Sequence, residues 1–422
     1  MTATASNAFP AVTVAPPEGV TRLFLGGTDL AAHLVAYGPL RLPSAGPQFV
    51  GELEASGLAG RGGAGFPAWL KFAATAAAQP GRHDRSRPVI IGNGAEGEPR
   101  SGKDATLLRH APHLVIDGLL VAAAVLRAKD IYLYATAENA PFITNAIRER
   151  ADARRIRVVV APHTFISGEA SAVANAIEHG RTVPQDRIHR LSERGVKGKP
   201  TLVHNVETLA QIALIARFGA LWFRSIGTER DPGTRLLTVT GDVAKDAVLE
   251  VAGDTTLSII LQSSDTSPSS VQAVLVGGYH GAWIPGDQLN TPVSAPGLAP
   301  FGAHPGAGVI VVLGRDHCGL QAAAEIVGYL AGQSARQCGP CTFGLPTLGS
   351  LLSRLARRDS DPTLPTELRR LSGVVTGRGS CHHPDGTARF VLSTLSTFSS
   401  DVTAHLGGHC ECSALLTEGS AR

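Results

Sequence analysis

Five of the nine residues from Gly57 to Gly65 are glycine, and an apolar, helix-forming run begins directly afterwards at Ala68. Backbone so poor in Cβ atoms suits neither a helix interior nor a strand, because glycine loses much conformational entropy there and packs nothing. It fits a loop turning tightly into a helix N-terminus, where unpartnered N–H groups and the helix dipole suit an anion. An ordinary glycine-rich turn is the other reading of this segment taken alone. Strand-like runs at 88–91, 131–134 and 156–160 alternate with helical stretches at 68–78, 105–126 and 141–151. That alternation is the pattern of a layered α/β domain.

The period changes twice further on. Short β-like runs at 236–240, 247–251, 273–276 and 309–313 predict a small β-rich domain. Helical stretches at 321–332, 347–358, 367–376 and 389–406 predict an all-helical region. The expected division is an irregular N-terminal arm over 1–50, an α/β domain over 51–230, a β-rich domain over 231–315, a helical bundle over 316–406 and a tail over 407–422. At 422 residues the chain can bury cores without disulfide staples. A formal net charge of +3 excludes a protein whose main partner is a nucleic-acid backbone. The N-terminal stretch lacks the basic and apolar regions of a signal peptide. The apolar run 114–126 is shorter than the roughly 20 residues a membrane span needs. The expected location is therefore cytoplasmic and reducing, with any membrane association made through partner subunits.

Other segments carry chemistry. Residues 91–104 follow a strand and offer Asn93, Glu96 and Glu98, suited to sugar hydroxyls, or else a solvated turn. Lys71 and Lys103 fall in the glycine-bearing segments and suit an anion. All six cysteines lie at or beyond Cys318. Cys338 and Cys341 form a Cys-x-x-Cys pair with Cys381 about 40 residues on, a set suited to a metal or an iron–sulfur cluster. Cys410 and Cys412 form a Cys-x-Cys in the tail, either completing a metal site or lying in a frayed end.

Five segments in this order resemble one family, the NADH-binding, FMN-containing 51-kDa-type (F) subunit of respiratory NADH:quinone oxidoreductase (complex I), shared with NAD-linked hydrogenases. The family's GRGGAGFPxGxKW, NADEGEPGxxKD, YICGEETAL, PTxVNNVETLA and ESCGxCxPCREG correspond to GRGGAGFPAWLKF, NGAEGEPRSGKD, FISGEASAV, PTLVHNVETLA and QSARQCGPCTFG. The resemblance implies a Rossmann-like FMN domain, a ubiquitin-like β-grasp (SLBB) domain and a C-terminal helical bundle carrying a 4Fe–4S cluster. It implies that NAD(P)H is oxidised through FMN and that electrons pass to an iron–sulfur centre and a partner, either a ferredoxin-like protein or other subunits of a redox complex. The flavin carries the chemistry, so no catalytic side chain is expected.

By position, the resemblance assigns Gly60, Arg61, Gly62, Gly63, Gly65 and Lys71 to the phosphate and nucleotide loop, and Phe66 to an aromatic near the nicotinamide. It assigns Asn93, Glu96, Gly97, Glu98, Gly168, Glu169, Asn205 and Thr208 to flavin or nucleotide contacts, and Cys338, Cys341 and Cys381 to the cluster. The chain departs from the family at Ala95, Ala170, His204 and Trp69, and at Ala74 and Arg190, where the family has aromatics beside the dinucleotide. Ala335 stands at the first cluster cysteine, leaving three thiolates for a 4Fe–4S or 3Fe–4S cluster, with His382, His383, Cys410 or Cys412 as substitute ligands. Two other functions fit the same residues: a flavoprotein relaying electrons between proteins without NADH, and a non-enzymatic docking paralogue.

Overall fold

The computed structural model describes residues 21–78, 87–185 and 188–412. The stretch read for a signal peptide and residues 413–422 of the tail lie outside them. Four parallel strands, β1 (Val89–Gly94), β2 (Asp130–Thr136), β3 (Ile156–Ala161) and β4 (Thr201–Asn205), form a sheet in the order β3-β2-β1-β4. Val89, Ile90, Ile91 and Ile131 to Ala135 are buried in a near-continuous apolar run, as expected of parallel strands covered on both faces. The chain winds from β1 through β2 to β3 and then returns on the other side of β1. The order therefore reverses between β1 and β4, where open α/β sheets leave a crevice at the carboxyl ends of their strands.

Helices Pro112–Val125 and Val206–Arg224 pack against each other beneath this sheet. Val206–Arg224 is long and apolar enough to cross a membrane, and 67% of its apolar window is buried within the protein. The single helix expected over 105–126 is two, Lys103–His110 and Pro112–Val125, bent by 95°. Pro112 is the cause: it disfavours helical backbone at the preceding residue, and Ala111 adopts φ −139°. The helix expected over 389–406 likewise breaks at Phe398 into His383–Thr397 and Ser399–Leu406.

The expected arm, read as irregular apart from a possible amphipathic turn at 30–35, contains helix Leu30–Tyr37 at that turn and the start of helix Pro47–Ser56. The first is anchored by a buried ion cluster, in which Asp117 receives His33 at 2.7 Å, Arg150 at 2.6 Å and Arg217 at 2.6 Å. Those partners come from far along the chain, so local composition carries no trace of them.

The second sheet contains β5 (Thr234–Gly241), β6 (Ala247–Ala252), β7 (Val271–Val276), β8 (Ala282–Pro285) and β9 (Val309–Gly314), in the order β6-β5-β9-β7-β8. Strand β9 runs parallel to β5 between antiparallel edges, with helix Leu257–Gln262 connecting the two hairpins. This is the β-grasp topology. Beyond it, helices Gly319–Gly332, Leu345–Ala356, Leu364–Val375, His383–Thr397 and Ser399–Leu406 form the C-terminal bundle. Their shared core takes in Ala273 and Leu275 of β7 and Trp283 of β8, so the bundle rests on the second sheet.

Candidate functional site

Asn93 near the end of β1 and Asn205 at the end of β4 are register partners across the point where the strand order reverses. The Asn205 Nδ2 donates to the Asn93 carbonyl at 3.3 Å and to Asp104 Oδ2 at 2.6 Å. Its Oδ1 accepts from the Glu207 N–H at 3.0 Å, capping helix Val206–Arg224. Asn93 in turn donates from Nδ2 to the Gly168 carbonyl at 2.9 Å, drawing the 165–168 segment to the same strand end.

The glycine loop closes over this point. Its base is pinned by Gly60 N–H donating to Phe66 O at 2.9 Å, and by Arg61 N–H donating to Thr208 Oγ1 at 2.9 Å. A Cβ on Gly62 would stand 2.9 Å from that of Asn205, while Gly65, at φ +61°, faces open space. Gly62, Ala64, Gly65 and Phe66 are solvent-exposed. A loop of this kind leaves its backbone accessible to a phosphate beside the sheet crevice, so the cradle fits a flavin mononucleotide.

Several polar residues expected to touch the cofactor are engaged by the protein. The Arg61 guanidinium is buried against the Pro232 and Thr234 carbonyls at 3.3 and 3.1 Å, and burial lowers its pKa to about 10. Lys71 donates to the Val203 carbonyl at 3.2 Å, and burial lowers its pKa. Glu96 accepts from the N–H groups of Asp104 and Ala105 at 2.9 and 3.0 Å, and Glu169 caps helix Ala170–His179. Lys103 is buried between Asp104 at 2.7 Å and Glu207 at 2.8 Å. These groups hold the strand ends and helix starts in place around the loop.

Glu98 behaves differently. Its Oε2 accepts from the Tyr279 N–H at 2.9 Å, whereas Oε1 is buried without a hydrogen-bond partner. Burial raises its pKa to about 7. Gly97 is required beside it, since a Cβ there would meet the Phe165 carbonyl at 2.1 Å. Among the departures from the family, Ala95 packs in an apolar cluster with Tyr134 and Val173, and Trp69 turns toward the main core. His204 is stacked on Phe72 at 5.6 Å, and burial holds its pKa well below the ordinary value.

From Glu98 and Tyr279 an aromatic cluster leads to the bundle. Phe165 lies 4.7 Å from His280 and 5.4 Å from His383, two residues beyond Cys381. Three domains meet here, a convergence with no signature in any one segment. Cys341 sits in a single π-helical turn, Pro340–Gly344. Burial, Cys338 and Cys381 push its thiol up to about 12. Thiolates need positive charge around them to stay ionised together, and the donor types of Cys338, Cys341 and Cys381 suit a metal cluster. None of the six cysteines is in a disulfide. Of the substitute ligands, His383 uses both ring nitrogens, with Leu330 O at 2.8 Å and His280 Nε2 at 3.1 Å. Cys410 gathers instead with Cys318, His405 and Cys412.

Comparison with known proteins finds relatives of the same domains and overall fold. Residues 53–214 match the Nuo51 FMN-binding domain, and residues 321–405 match the NADH-ubiquinone oxidoreductase-F iron–sulfur binding region. The F 2 subunit of the NADH-quinone oxidoreductase of Rhizobium meliloti (strain 1021) is 28% identical, over 85% of this chain and 89% of that relative. The NADP-reducing hydrogenase subunit HndC of Solidesulfovibrio fructosivorans is 26% identical, over 88% of this chain and 79% of its own. The crystal structure of an NAD+-reducing NiFe-hydrogenase in the air-oxidized state superposes with a TM-score of 0.76 at 26% identity, over 85% of this chain and 62% of that one. With its motifs in order and its topology shared, the chain is a 51-kDa-type subunit resembling the F subunits of NADH-quinone oxidoreductase.

Proposed function

We propose that this chain is the electron-entry subunit of a multi-subunit redox complex, oxidising NAD(P)H and passing electrons to an iron–sulfur partner. FMN, when bound, supplies two-electron chemistry with the nicotinamide and one-electron chemistry with an iron–sulfur centre. The residues that would hold it are the backbone of Gly60–Gly65, with Asn93 and Asn205 at the strand ends and Glu98 in the loop after β1. Cys338, Cys341 and Cys381 would hold the cluster, three thiolates with the fourth position left to another ligand. Phe66 presents an exposed ring next to the loop, suited to stacking on a nicotinamide or an adenine.

The protein's own part is positioning and exclusion of water. Asn205 and Asn93 fix the two strand ends, Arg61 fastens the glycine loop to the second domain, and Glu98 offers a buried carboxyl oxygen whose proton state changes near neutrality. The observation that carries this reading is the glycine loop seated on Asn205 at the β1/β4 reversal. The test is anaerobic: protein reconstituted with FMN should be yellow and should bleach on addition of NADH or NADPH. Bleaching by dithionite alone would favour a relay between proteins, and failure to take up FMN would favour a docking paralogue. We place the protein in the cytoplasm, reaching any membrane through partner subunits.

A further inference from the structure

Cys318, His405 and Cys410 converge at a place that neither the flavin crevice nor the three-cysteine set uses. Their ligand atoms lie within 4.8 Å of one another and all three residues are buried, the one such group among the described residues. Cys318 is the N-cap of helix Gly319–Gly332, His405 lies in Ser399–Leu406, and Cys410 follows it. Cys412 brings a fourth donor, its Sγ 2.9 Å from that of Cys410. The iron–sulfur region matched by the family spans 321–405, so all three cysteines fall outside it.

We propose that Cys318, His405, Cys410 and Cys412 bind a single tetrahedral zinc ion that fastens the C-terminal tail to the helical bundle. Three thiolates and one imidazole are a standard structural zinc set. Cys318 Sγ and His405 Nε2 are 3.5 Å apart. A tetrahedron with Zn–S near 2.3 Å and Zn–N near 2.05 Å has an S···N edge of about 3.5 Å. The His405 Nδ1 lies 3.0 Å from the Leu355 carbonyl. That contact places the ring proton on Nδ1 and leaves the Nε2 lone pair facing the sulfurs, the outer-shell arrangement of a metal-bound histidine. Binding displaces the thiol protons to solvent, leaving three thiolates and a neutral imidazole around the ion. The Cys410–Cys412 pair must open to an S···S edge of about 3.8 Å, and the tail beyond Gly408, itself at φ +83°, is the segment that would move.

The test uses full-length protein purified anaerobically with reductant, with zinc and iron measured separately. C338S/C341S/C381S should lose iron and keep about one zinc per chain. C410S/C412S should lose zinc by about tenfold or more and keep iron. Zinc K-edge absorption on the wild-type protein, which needs no variant to fold, should show a shell of about three sulfurs and one imidazole nitrogen. Zinc at the level of a metal-free control in the wild type, zinc lost with the three cluster cysteines, or zinc fully retained in C410S/C412S would each overturn the proposal.

Discussion

Glu98 and Tyr279 join the flavin-side domain to the β-grasp domain, the Tyr279 N–H donating to Glu98 Oε2 at 2.9 Å while the other carboxyl oxygen is buried unpaired. The cause of the carboxyl's unusual proton affinity is burial, and its consequences can be measured.

Burial raises Glu98 from an ordinary value near 4.5 to about 7. Between those values the folded protein holds a proton that the unfolded chain has released, so stability falls as pH rises from about 4.5 to about 7 and levels off above it. The penalty at alkaline pH is of order 1–3 kcal/mol. Glu98→Gln keeps an oxygen to accept from Tyr279 and cannot ionise. Thermal melts should show it gaining on the wild type above pH 7 and losing that advantage near pH 5; parallel curves across this range would refute the assignment.

Asn205 serves both the helix cap and the strand end. Asn205→Ala should cost about 1–2 kcal/mol through the lost cap and weaken FMN binding by about tenfold or more, measured by flavin fluorescence titration. Asn205→Asp restores the cap acceptor but sets a carboxylate beside Asp104. It should therefore recover little of the flavin affinity, and full recovery would show that only the cap matters.

Gly62→Ala places a Cβ 2.9 Å from Asn205 Cβ. The loop must shift, and flavin affinity should fall far more than the melting temperature. Gly51→Ala is the matched control: its Cβ meets nothing within 4 Å in helix Pro47–Ser56. It should raise stability by about 0.5–1 kcal/mol with flavin affinity unchanged. Equal flavin loss in both variants would count against a loop role.

Ala335 stands three residues before Cys338. Ala335→Cys should raise iron and sulfide per chain and slow cluster loss in air, read by metal analysis and EPR. Unchanged loading would mean that the three thiolates already have a fourth partner.

The sequence by itself determined the order of domains, the alternation that builds the parallel sheet, and the motifs that mark the flavin and cluster segments. These are local properties, written in periodicity and in glycine placement. It also grouped a cysteine pair with a third thiol, and left the glycine loop open between an anion cradle and an ordinary turn. The bend at Pro112 was readable from the residue that causes it, yet the apolar run on both sides masks it. Only the tertiary structure decided that Arg61 and Lys71 face protein carbonyls, that Glu98 is buried against Tyr279, and that the six cysteines divide between two places. Each of those outcomes depends on which distant group satisfies a buried charge, carbonyl or thiol. That choice is made by packing across the fold, between residues as far apart in the chain as Glu98 and Tyr279 or Cys318 and Cys410.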